Sequence, residues 1–250
     1  LVVDLWGGVA DPSTGAPWQE DTICCLFSAT KTMSSLCVLT LADRGAIDLD
    51  APVADYWPEF AANGKEQVLV RHVLAHTAGL PGWSDPMTLD DLYDTRGAAA
   101  ALAAQAPWWE PGTAAGYHAV TQGYLLGELV LRVTGESLGT FFRTTFAEPL
   151  GAEYHIGTGP ELDSRIAPVT PPTHVLGGRS TPGSIGDRAL NNPVVDAALA
   201  NTERYRRIEL PASNGFGNAR GLARAQSVIS HGGTVDGTTF LSEAGVGQIF

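Results

Sequence analysis

The spacing of hydrophobic positions changes near residue 28. The segments LVVDLWGGVAD, at the start of the chain, and TICCLF, at residues 22–27, are rich in β-forming residues, and we expect strands in both. From Thr30 to Arg44 the apolar side chains recur at helical spacing instead, at Met33, Leu36, Cys37, Val38 and Leu41. Gly45 then provides a stop signal for that helix. The pattern therefore predicts a strand that leads directly into a buried helix.

The middle of the chain alternates between helical patterns and loops rich in glycine and proline. Helical spacing predicts further helices that start near Val70 and His118, and others in 89–105, GESLGTFFRTTFAEPLG and NARGLARAQSVISHGG. Asp236-Gly237, within TVDGTTFLS, predicts a tight turn. Residues 157–200 are rich in Gly, Pro and Thr, and we expect an extended lobe surface or a lid there. Together these elements indicate an α+β fold with a helical insertion.

One lysine, Lys31, is the only charged side chain between Thr22 and Ala42. Ser28 precedes it by three residues, so both lie on one face if the helix begins at or just after Ser28. Burial would lower the pKa of this lysine and let it accept a proton from the serine hydroxyl. The S-x-x-K spacing thus indicates a serine nucleophile with a lysine base. In the alternative interpretation, Ser28 is only an N-cap and Lys31 extends its amine to the surface.

Composition narrows the function classes. A net charge of −12 and a pI of about 4.8 argue against binding to nucleic acid or to an anionic membrane surface. The odd number of cysteines, with Cys24 beside Cys25 and Cys37 apart, argues against a disulfide framework, and no C-x-x-C pair indicates zinc. We therefore expect a reducing compartment and a cytoplasmic location. No apolar run is long enough to span a bilayer, no cofactor is expected, and the sequence does not predict the oligomeric state.

A second motif supplies a phenol, because Tyr117 lies in a glycine-rich loop just before a predicted helix. The segments FSATK, VLAHTAGLPG, WEPGTAAGYHAVTQGYLLGELV and NGFGNARGLARAQSVISHGG together resemble the serine β-lactamase-related superfamily. Within it the chain is most similar to the esterase branch, the family VIII carboxylesterases, which are akin to class C β-lactamases. The resemblance covers nearly the whole chain.

This resemblance implies one β-lactamase-like domain over residues 1–250, with an antiparallel sheet flanked by helices. Residues 1–50 and 206–250 would form a lobe associated with the sheet, and residues 51–205 a mainly helical lobe that carries the tyrosine motif. Compared with the family, the chain is expected to lack the N-terminal start and the final strands of the sheet.

The resemblance also implies roles for three residues. Ser28 would be the acyl nucleophile, with its backbone N–H as one oxyanion donor. Lys31 would lower the barrier to deprotonation of Ser28, and Tyr117 would be the general base that later protonates the leaving alcohol. From the residues alone, Tyr117 could instead be a loop tyrosine that stacks on Trp108 or Trp109.

The surroundings of Tyr117 bear on the substrate. Trp108, Trp109 and His118 are the candidate substrate-binding residues. The two tryptophans are either a wall of the substrate site or ordinary packing, and His118 is either a neighbour of the site or only a residue at a helix start. Ala119 stands where class C β-lactamases have the asparagine of a Tyr-x-Asn motif, which favours esters over β-lactams.

The predicted function is therefore hydrolysis of carboxylic esters with short to medium acyl chains through an acyl-Ser28 intermediate. The alternatives within this chemistry are a β-lactamase, a D-Ala-D-Ala peptidase and an acyltransferase to a small alcohol. The alternative of another class is an inactive fragment or a non-catalytic homologue that only binds.

Three further motifs are interpreted as structural. The segment SHGGTVDG, at residues 230–237, looks like the third motif of the family, but its context predicts a helix end and a hairpin. His72 and His76 have the spacing of zinc ligands but lack the glutamate of H-E-x-x-H. The acidic side chains of Asp90, Asp91 and Asp94 mark the solvated start of a helix rather than a metal site.

Overall fold

Helices account for most of the regular structure in the computed structural model, which describes residues 3–171 and 181–249. The π-helical turn Arg143–Ala147 joins two of them, Leu138–Phe142 and Glu148–Leu150, without a loop. The helices are α1 Thr30–Asp43, α2 Val70–Leu74, α3 Leu89–Tyr93, α4 Thr95–Ala104, α5 Thr121–Thr134, α6 Leu138–Phe142, α7 Glu148–Leu150, α8 Ile185–Leu190, α9 Glu203–Arg207, α10 Ala219–Ser230 and α11 Glu243–Gly247.

Helix α1 lies at the centre of the core. It packs against α5, α6 and α11, and its apolar side chains, which include Met33, Leu36 and Leu41, are buried. A helix enclosed in this way has no wide polar face, which fits a sequence in which Lys31 and Asp43 are the only charged side chains. Gly45 follows α1 with a φ of 70°, as the predicted stop signal requires.

The strands are short and antiparallel. The central sheet has the order β3-β5-β4, in which Phe216 of β5 lies between Cys25 of β3 and His155 of β4. Two hairpins, β1-β2 and β6-β7, complete the described strands. The strand ranges are β1 Val9–Asp11, β2 Ala16–Pro17, β3 Cys24–Cys25, β4 Tyr154–Ile156, β5 Gly215–Gly217, β6 Thr234–Val235 and β7 Thr238–Thr239.

The predicted α+β class is confirmed, with local corrections. The helix predicted over 89–105 is two helices, because the carboxylate of Asp94 accepts the N–H of Gly97 and starts α4 there. The initial strand is confined to β1, which turns back onto β2, while residues 3–7 have no strand structure. In 157–200, residues 172–180 lie outside the described ranges, and the remainder includes α8 and the 3-10 turns Pro160–Arg165 and Ala197–Asn201.

The sheet also draws on a part of the chain that the sequence assigns to helices. Strand β4 lies within residues 51–205 and pairs with β5, so this segment contributes to the sheet. The division into two lobes stays a prediction.

In the described ranges, no helix combines the length and the hydropathy that crossing a bilayer requires.

Candidate active site

Ser28 lies in the 3-10 turn Phe27–Ala29, between β3 and α1. Phe27 has a φ of 44°, a left-handed conformation that a bulky side chain rarely adopts. The chain leaves the sheet at this residue and enters the helix at Thr30, so the sharp turn presents the Ser28 side chain on the surface. N–H groups at the start of a helix have no partner within it, and the backbone N–H of Ser28 belongs to this region.

The buried hydroxyl of Thr30 holds this turn in place. Thr30 Oγ1 donates to the carbonyl of Phe27 at 2.5 Å and accepts the N–H of Gly215 at 2.7 Å. Tyr154 Oη is a further partner of Thr30 Oγ1, at 3.3 Å. A Cβ at Gly215 would lie 2.5 Å from Thr30 Oγ1, so glycine is required for the close approach. The strained residue before Ser28 is thus tied to the central sheet.

Lys31 is buried, with only 8% of the residue exposed. Its Nζ lies 3.2 Å from Ser28 Oγ, 2.6 Å from the carbonyl oxygen of Ala119 and 2.9 Å from that of Ala212. Burial lowers the pKa of Lys31, and the hydroxyl of Tyr117 acts in the opposite direction. The alternative in which Lys31 extends to the surface is therefore wrong.

Tyr117 covers Ser28 and Lys31 from the solvent side. Its Oη lies 2.8 Å from Ser28 Oγ, and Lys31 Nζ lies 4.8 Å from the centre of its ring. The residue is 51% exposed, so the site lies at the surface of the protein. The imidazole of His76 packs against the ring at a centroid distance of 5.0 Å. The structure thus brings together the three residues that the sequence assigns to catalysis.

His118 does not belong to the surface that a substrate could touch. The residue is 0% exposed, its Nδ1 lies 2.5 Å from the carbonyl of Gly116, and its Nε2 accepts the N–H of Leu80 at 3.0 Å. Burial lowers the pKa of His118 to about 4, which keeps the ring neutral and suits an acceptor nitrogen. The assignment of His118 to substrate binding is therefore wrong, and the ring supports the backbone beside Tyr117.

Trp108 and Trp109 are half-buried and have different contacts. The Nε1 of Trp108 donates to Ser84 Oγ at 2.9 Å, and the guanidinium of Arg188 stacks 4.0 Å from the centre of its ring. The ring of Trp109 lies against Gly116, where a Cβ would lie only 2.5 Å from Cη2. Trp109 thus supports the loop that carries Tyr117, while substrate contact by either ring stays a prediction.

Sequence reasoning missed how four residues contribute to the surroundings of Lys31. Ala119 and Ala212 contribute only their backbone carbonyls, which no side-chain pattern can reveal. Ser34, one turn further along α1, donates to Pro211 in the same turn that contains Ala212. Asn214 is buried and lies at the end of that turn. The i, i+3 spacing of Lys31 and Ser34 is the one signal in the sequence that could have identified this group.

The segment that looks like a third motif makes no hydrogen bond to Ser28, Lys31 or Tyr117 within the described residues. It contains Ser230, the last residue of α10, and strand β6 with the turn of the β6-β7 hairpin. Gly233 has a φ of 94° and packs directly against the backbone of Leu241. The prediction of a helix end and a hairpin is confirmed.

The histidine pair and the acidic cluster have structural partners. His72 Nδ1 accepts the N–H of Leu69, and His76 Nδ1 accepts that of His118. Asp91 accepts the N–H of Thr88 at the start of α3. Within residues 3–171 and 181–249, no group of three or more His, Cys, Asp or Glu side chains could hold a metal ion.

Comparisons with known proteins identify the family of the chain. The beta-lactamase family profile matches residues 1–244. The chain is 39% identical to the Esterase/beta-lactamase LipL of Mycobacterium tuberculosis over 252 aligned positions, which cover 96% of this chain and 58% of LipL. The chain thus spans about three fifths of the length of that relative.

Two solved structures share the fold. A family VIII carboxylesterase superimposes with a TM-score of 0.90 at 42% identity, over 98% of this chain and 66% of the other. A penicillin-binding protein homologue from Caulobacter crescentus gives a TM-score of 0.89 at 38% identity, over 96% of this chain and 64% of the other. The fold expected from the resemblance is therefore confirmed, and the chain belongs to the beta-lactamase family.

Proposed function

We propose that this protein is a serine hydrolase that cleaves carboxylic esters through an acyl-Ser28 intermediate. The observation that carries the proposal is that Ser28 Oγ lies within hydrogen-bond distance of both Lys31 Nζ and Tyr117 Oη. A nucleophile, a poorly solvated amine and a phenol at these distances meet the geometric requirement for nucleophilic acyl transfer. The esterase names of two of the similar proteins support the same chemistry.

The contacts of Lys31 suit both of its protonation states. The ammonium has three N–H donors, which match Ser28 Oγ and the carbonyls of Ala119 and Ala212. The neutral amine keeps two donors for the two carbonyls and directs its lone pair toward the serine hydroxyl. Lys31 can therefore gain and lose a proton without moving.

In acylation, the pair formed by Lys31 and Tyr117 takes the proton of Ser28 as Oγ forms a bond to the carbonyl carbon of the ester. The backbone N–H of Ser28 donates to the oxyanion that develops. When the intermediate collapses, the bond between the carbonyl carbon and the alkoxy oxygen breaks. The pair then returns the proton, through Tyr117 Oη, to the leaving alcohol.

Deacylation uses the same groups in the opposite direction. A water molecule gives a proton to the pair as its oxygen bonds to the acyl carbon, and the bond from that carbon to Ser28 Oγ then breaks. The proton returns to Ser28, and the carboxylic acid leaves. An acyltransferase would differ only in using an alcohol in place of this water.

Two features of the site favour esters as substrates. Ala119 follows the tyrosine motif with a methyl side chain, so it offers no amide group to the amide side chain of a β-lactam. Phe27, next to the nucleophile, is 37% exposed and provides an apolar surface for an acyl or alkyl group. β-Lactam hydrolysis is the second candidate, because the name of the relative LipL includes both activities.

The decisive test is labelling with a fluorophosphonate probe, together with hydrolysis of p-nitrophenyl butyrate. We expect labelling of the wild-type chain and loss of both signals in Ser28→Ala. Ser35→Ala is the matched control, since this serine lies on α1 but has no side-chain hydrogen bond within the described residues. Tyr117→Phe should lose most turnover and keep the fold, because its ring contacts remain.

Three results would contradict the proposal. A folded wild-type chain that takes up no label would favour the alternative of a fragment or homologue that only binds. Label that persists in Ser28→Ala would place the nucleophile elsewhere. Faster turnover of a chromogenic cephalosporin than of p-nitrophenyl butyrate would make β-lactam hydrolysis the better assignment.

The compartment is a separate proposal. Cys24, Cys25 and Cys37 are all free thiols, which suits a reducing environment such as the cytoplasm. Fractionation of the source cells tests it, and recovery of the protein from an oxidising compartment would contradict it.

A further inference from the structure

The turn at residues 210–214 points three consecutive carbonyl groups at side-chain donors. The carbonyl of Pro211 accepts from Ser34 Oγ at 2.5 Å, and that of Ala212 accepts from Lys31 Nζ at 2.9 Å. The carbonyl of Ser213 accepts from Tyr205 Oη at 3.0 Å. Buried carbonyls need partners, but three side-chain donors in a row fix the orientation of the whole turn.

The buried side chain of Asn214 stabilises the turn through hydrogen bonds. The residue is 0% exposed, and its Oδ1 accepts the N–H of Leu210 at 2.8 Å. Its Nδ2 donates to the carbonyls of Tyr205 and Ile208, at 3.0 and 2.6 Å. One buried amide therefore connects both ends of the turn with the end of α9.

Ser34 sets the position of the turn along α1. It lies three residues after Lys31, on the same face of the helix, and the two side chains bind adjacent carbonyls of one turn. A shift of the turn along α1 would break both hydrogen bonds together. Ser34 and Lys31 thus form a two-point attachment.

Gly123 lets α5 approach the turn from the other side. A Cβ at Gly123 would lie 2.9 Å from Ala212 Cβ and closer still to its backbone nitrogen. Because the carbonyl of Ala119 lies just before α5, this contact sets the separation of the two carbonyls between which the Lys31 amine is held.

We propose that Ser34 and Asn214 are positioning residues that hold the carbonyl of Ala212 against the amine of Lys31. In this way they set both the direction of the Lys31 amine toward Ser28 and the basicity of that amine. Neither residue touches the reacting atoms in this scheme. The inference rests on the proposed function only in so far as Lys31 takes part in catalysis.

The test measures Lys31 directly. The sequence contains two lysines, Lys31 and Lys65, so ¹³Cε-lysine labelling gives two NMR signals, which Lys65→Met assigns. Carbonyl acceptors favour the charged form of an amine. We therefore expect Ser34→Ala and Asn214→Ala to lower the titration midpoint of Lys31 by about half a unit to one unit.

Matched controls separate this effect from a general loss of stability on removal of a polar side chain. Ser35→Ala removes the neighbouring hydroxyl on α1. Asn192→Ala removes an amide that ties residues 83–87 by three hydrogen bonds of the same kind. The titratable groups that face Lys31 are Tyr117 and His76, and all the variants retain both, so neither control should move the Lys31 midpoint.

Activity gives an independent measurement. We expect the kcat/KM of Ser34→Ala and Asn214→Ala for p-nitrophenyl butyrate to fall about 10- to 100-fold, as small misplacements of catalytic groups commonly cause. The acidic limb of the pH profile should move to lower pH with the midpoint of Lys31. If Asn214→Ala does not fold, Ser34→Ala decides alone.

The outcomes for the two proposals differ. An unchanged Lys31 midpoint in Ser34→Ala overturns the positioning role, whether or not the chain is active. A lowered midpoint in a chain whose Ser28 takes up no fluorophosphonate supports the positioning role and contradicts the proposed hydrolase.

Discussion

Lys31 and Lys65 occupy two buried sites that share most of their features. Lys65 is 0% exposed, donates to the carbonyls of Ala62 and Gln105, and lies 5.5 Å from the centre of the Phe60 ring. Lys31 likewise has two carbonyl partners and an aromatic ring. Burial lowers the pKa of both amines. Poor solvation alone therefore does not distinguish a catalytic lysine from a structural one.

The third hydrogen-bond partner of the amine distinguishes Lys31 from Lys65. Lys31 has the hydroxyl of Ser28 and, above it, the phenol of Tyr117. In residues 3–171 and 181–249, no hydroxyl is hydrogen-bonded to Lys65, and its ring neighbour, Phe60, has no polar group. A buried amine becomes a candidate base when a proton donor occupies its remaining position. Otherwise it only joins backbone segments, as Lys65 joins the turn before it to the end of α4.

The strongest test of this comparison replaces each amine by a thioether of similar length. We expect Lys31→Met to lower kcat/KM for p-nitrophenyl butyrate by about 10²- to 10⁴-fold, the usual contribution of a positioned acid or base, while the chain still folds. Lys65→Met should retain kcat/KM within about twofold per folded molecule, since Lys65 has no contact with Ser28. Comparable losses in both variants would show that the amines act through stability rather than chemistry.

The packing around Lys31 can be disturbed without changing a polar group. A Cβ at Gly123 would overlap the backbone of Ala212, whereas a Cβ at Gly127, one turn along α5, would lie 3.5 Å from Pro211 Cγ. We expect Gly123→Ala to lower the free energy of unfolding by about 1–3 kcal/mol and to reduce kcat/KM as well.

Gly127→Ala is the matched control. It lies in the helix interior, where alanine is about 0.5–1 kcal/mol better than glycine, so chemical denaturation should show equal or higher stability and assays an unchanged kcat/KM. If the two variants behave alike, the close approach of α5 to the turn has no role at Lys31.

Lys65 should matter for stability alone. Lys65→Met leaves the buried carbonyls of Ala62 and Gln105 without their donor, and an unpaired buried polar group costs about 1–3 kcal/mol. We expect urea denaturation near pH 10, where the amine of the folded chain is uncharged, to show a loss of this size. A variant as stable as the wild type would mean that water replaces the amine and that Lys65 is not a structural link.

The sequence predicts the elements that follow from local pattern. The apolar spacing of α1 and its stop at Gly45 are visible because a buried helix repeats its signal over several turns. The approach of Tyr117 to Ser28 could be predicted because both residues lie in segments that resemble a known family. Strand β5 has the sequence GFG, which has little β-propensity, and only the tertiary contacts of Thr30 and Tyr154 explain its place.

The sequence cannot predict the hydrogen-bond partners of Lys31, for a different reason. Backbone carbonyls, such as those of Ala119 and Ala212, carry no residue signature. The wrong assignment of His118 has the same origin, because the sequence shows that it adjoins Tyr117 but not that its ring turns into the core. Adjacency along the chain thus indicates which backbone is near the site, whereas tertiary packing decides which side chains face it.

The smallest expected effect concerns pH and also distinguishes the two lysines. Burial lowers the pKa of Lys65 to about 8 in the folded chain, from 10.5 for an ordinary lysine. Between these values the unfolded chain binds more protons, so the contribution of Lys65 to the free energy of unfolding increases as pH rises from 8 to 10.5. Below pH 8 the cost of burying the charged amine is present in full.

The measurement is the difference in unfolding free energy between the wild type and Lys65→Met at several pH values in this window. We expect the difference to move steadily in favour of the wild type as pH rises, because the other titrating groups are common to both proteins and cancel. A flat difference would mean that the Lys65 ammonium is fully stabilised by its carbonyls and the Phe60 ring. The buried amine of Lys65 would then be no model for that of Lys31, whose proposed role as a base toward Ser28 requires an amine that can lose its proton.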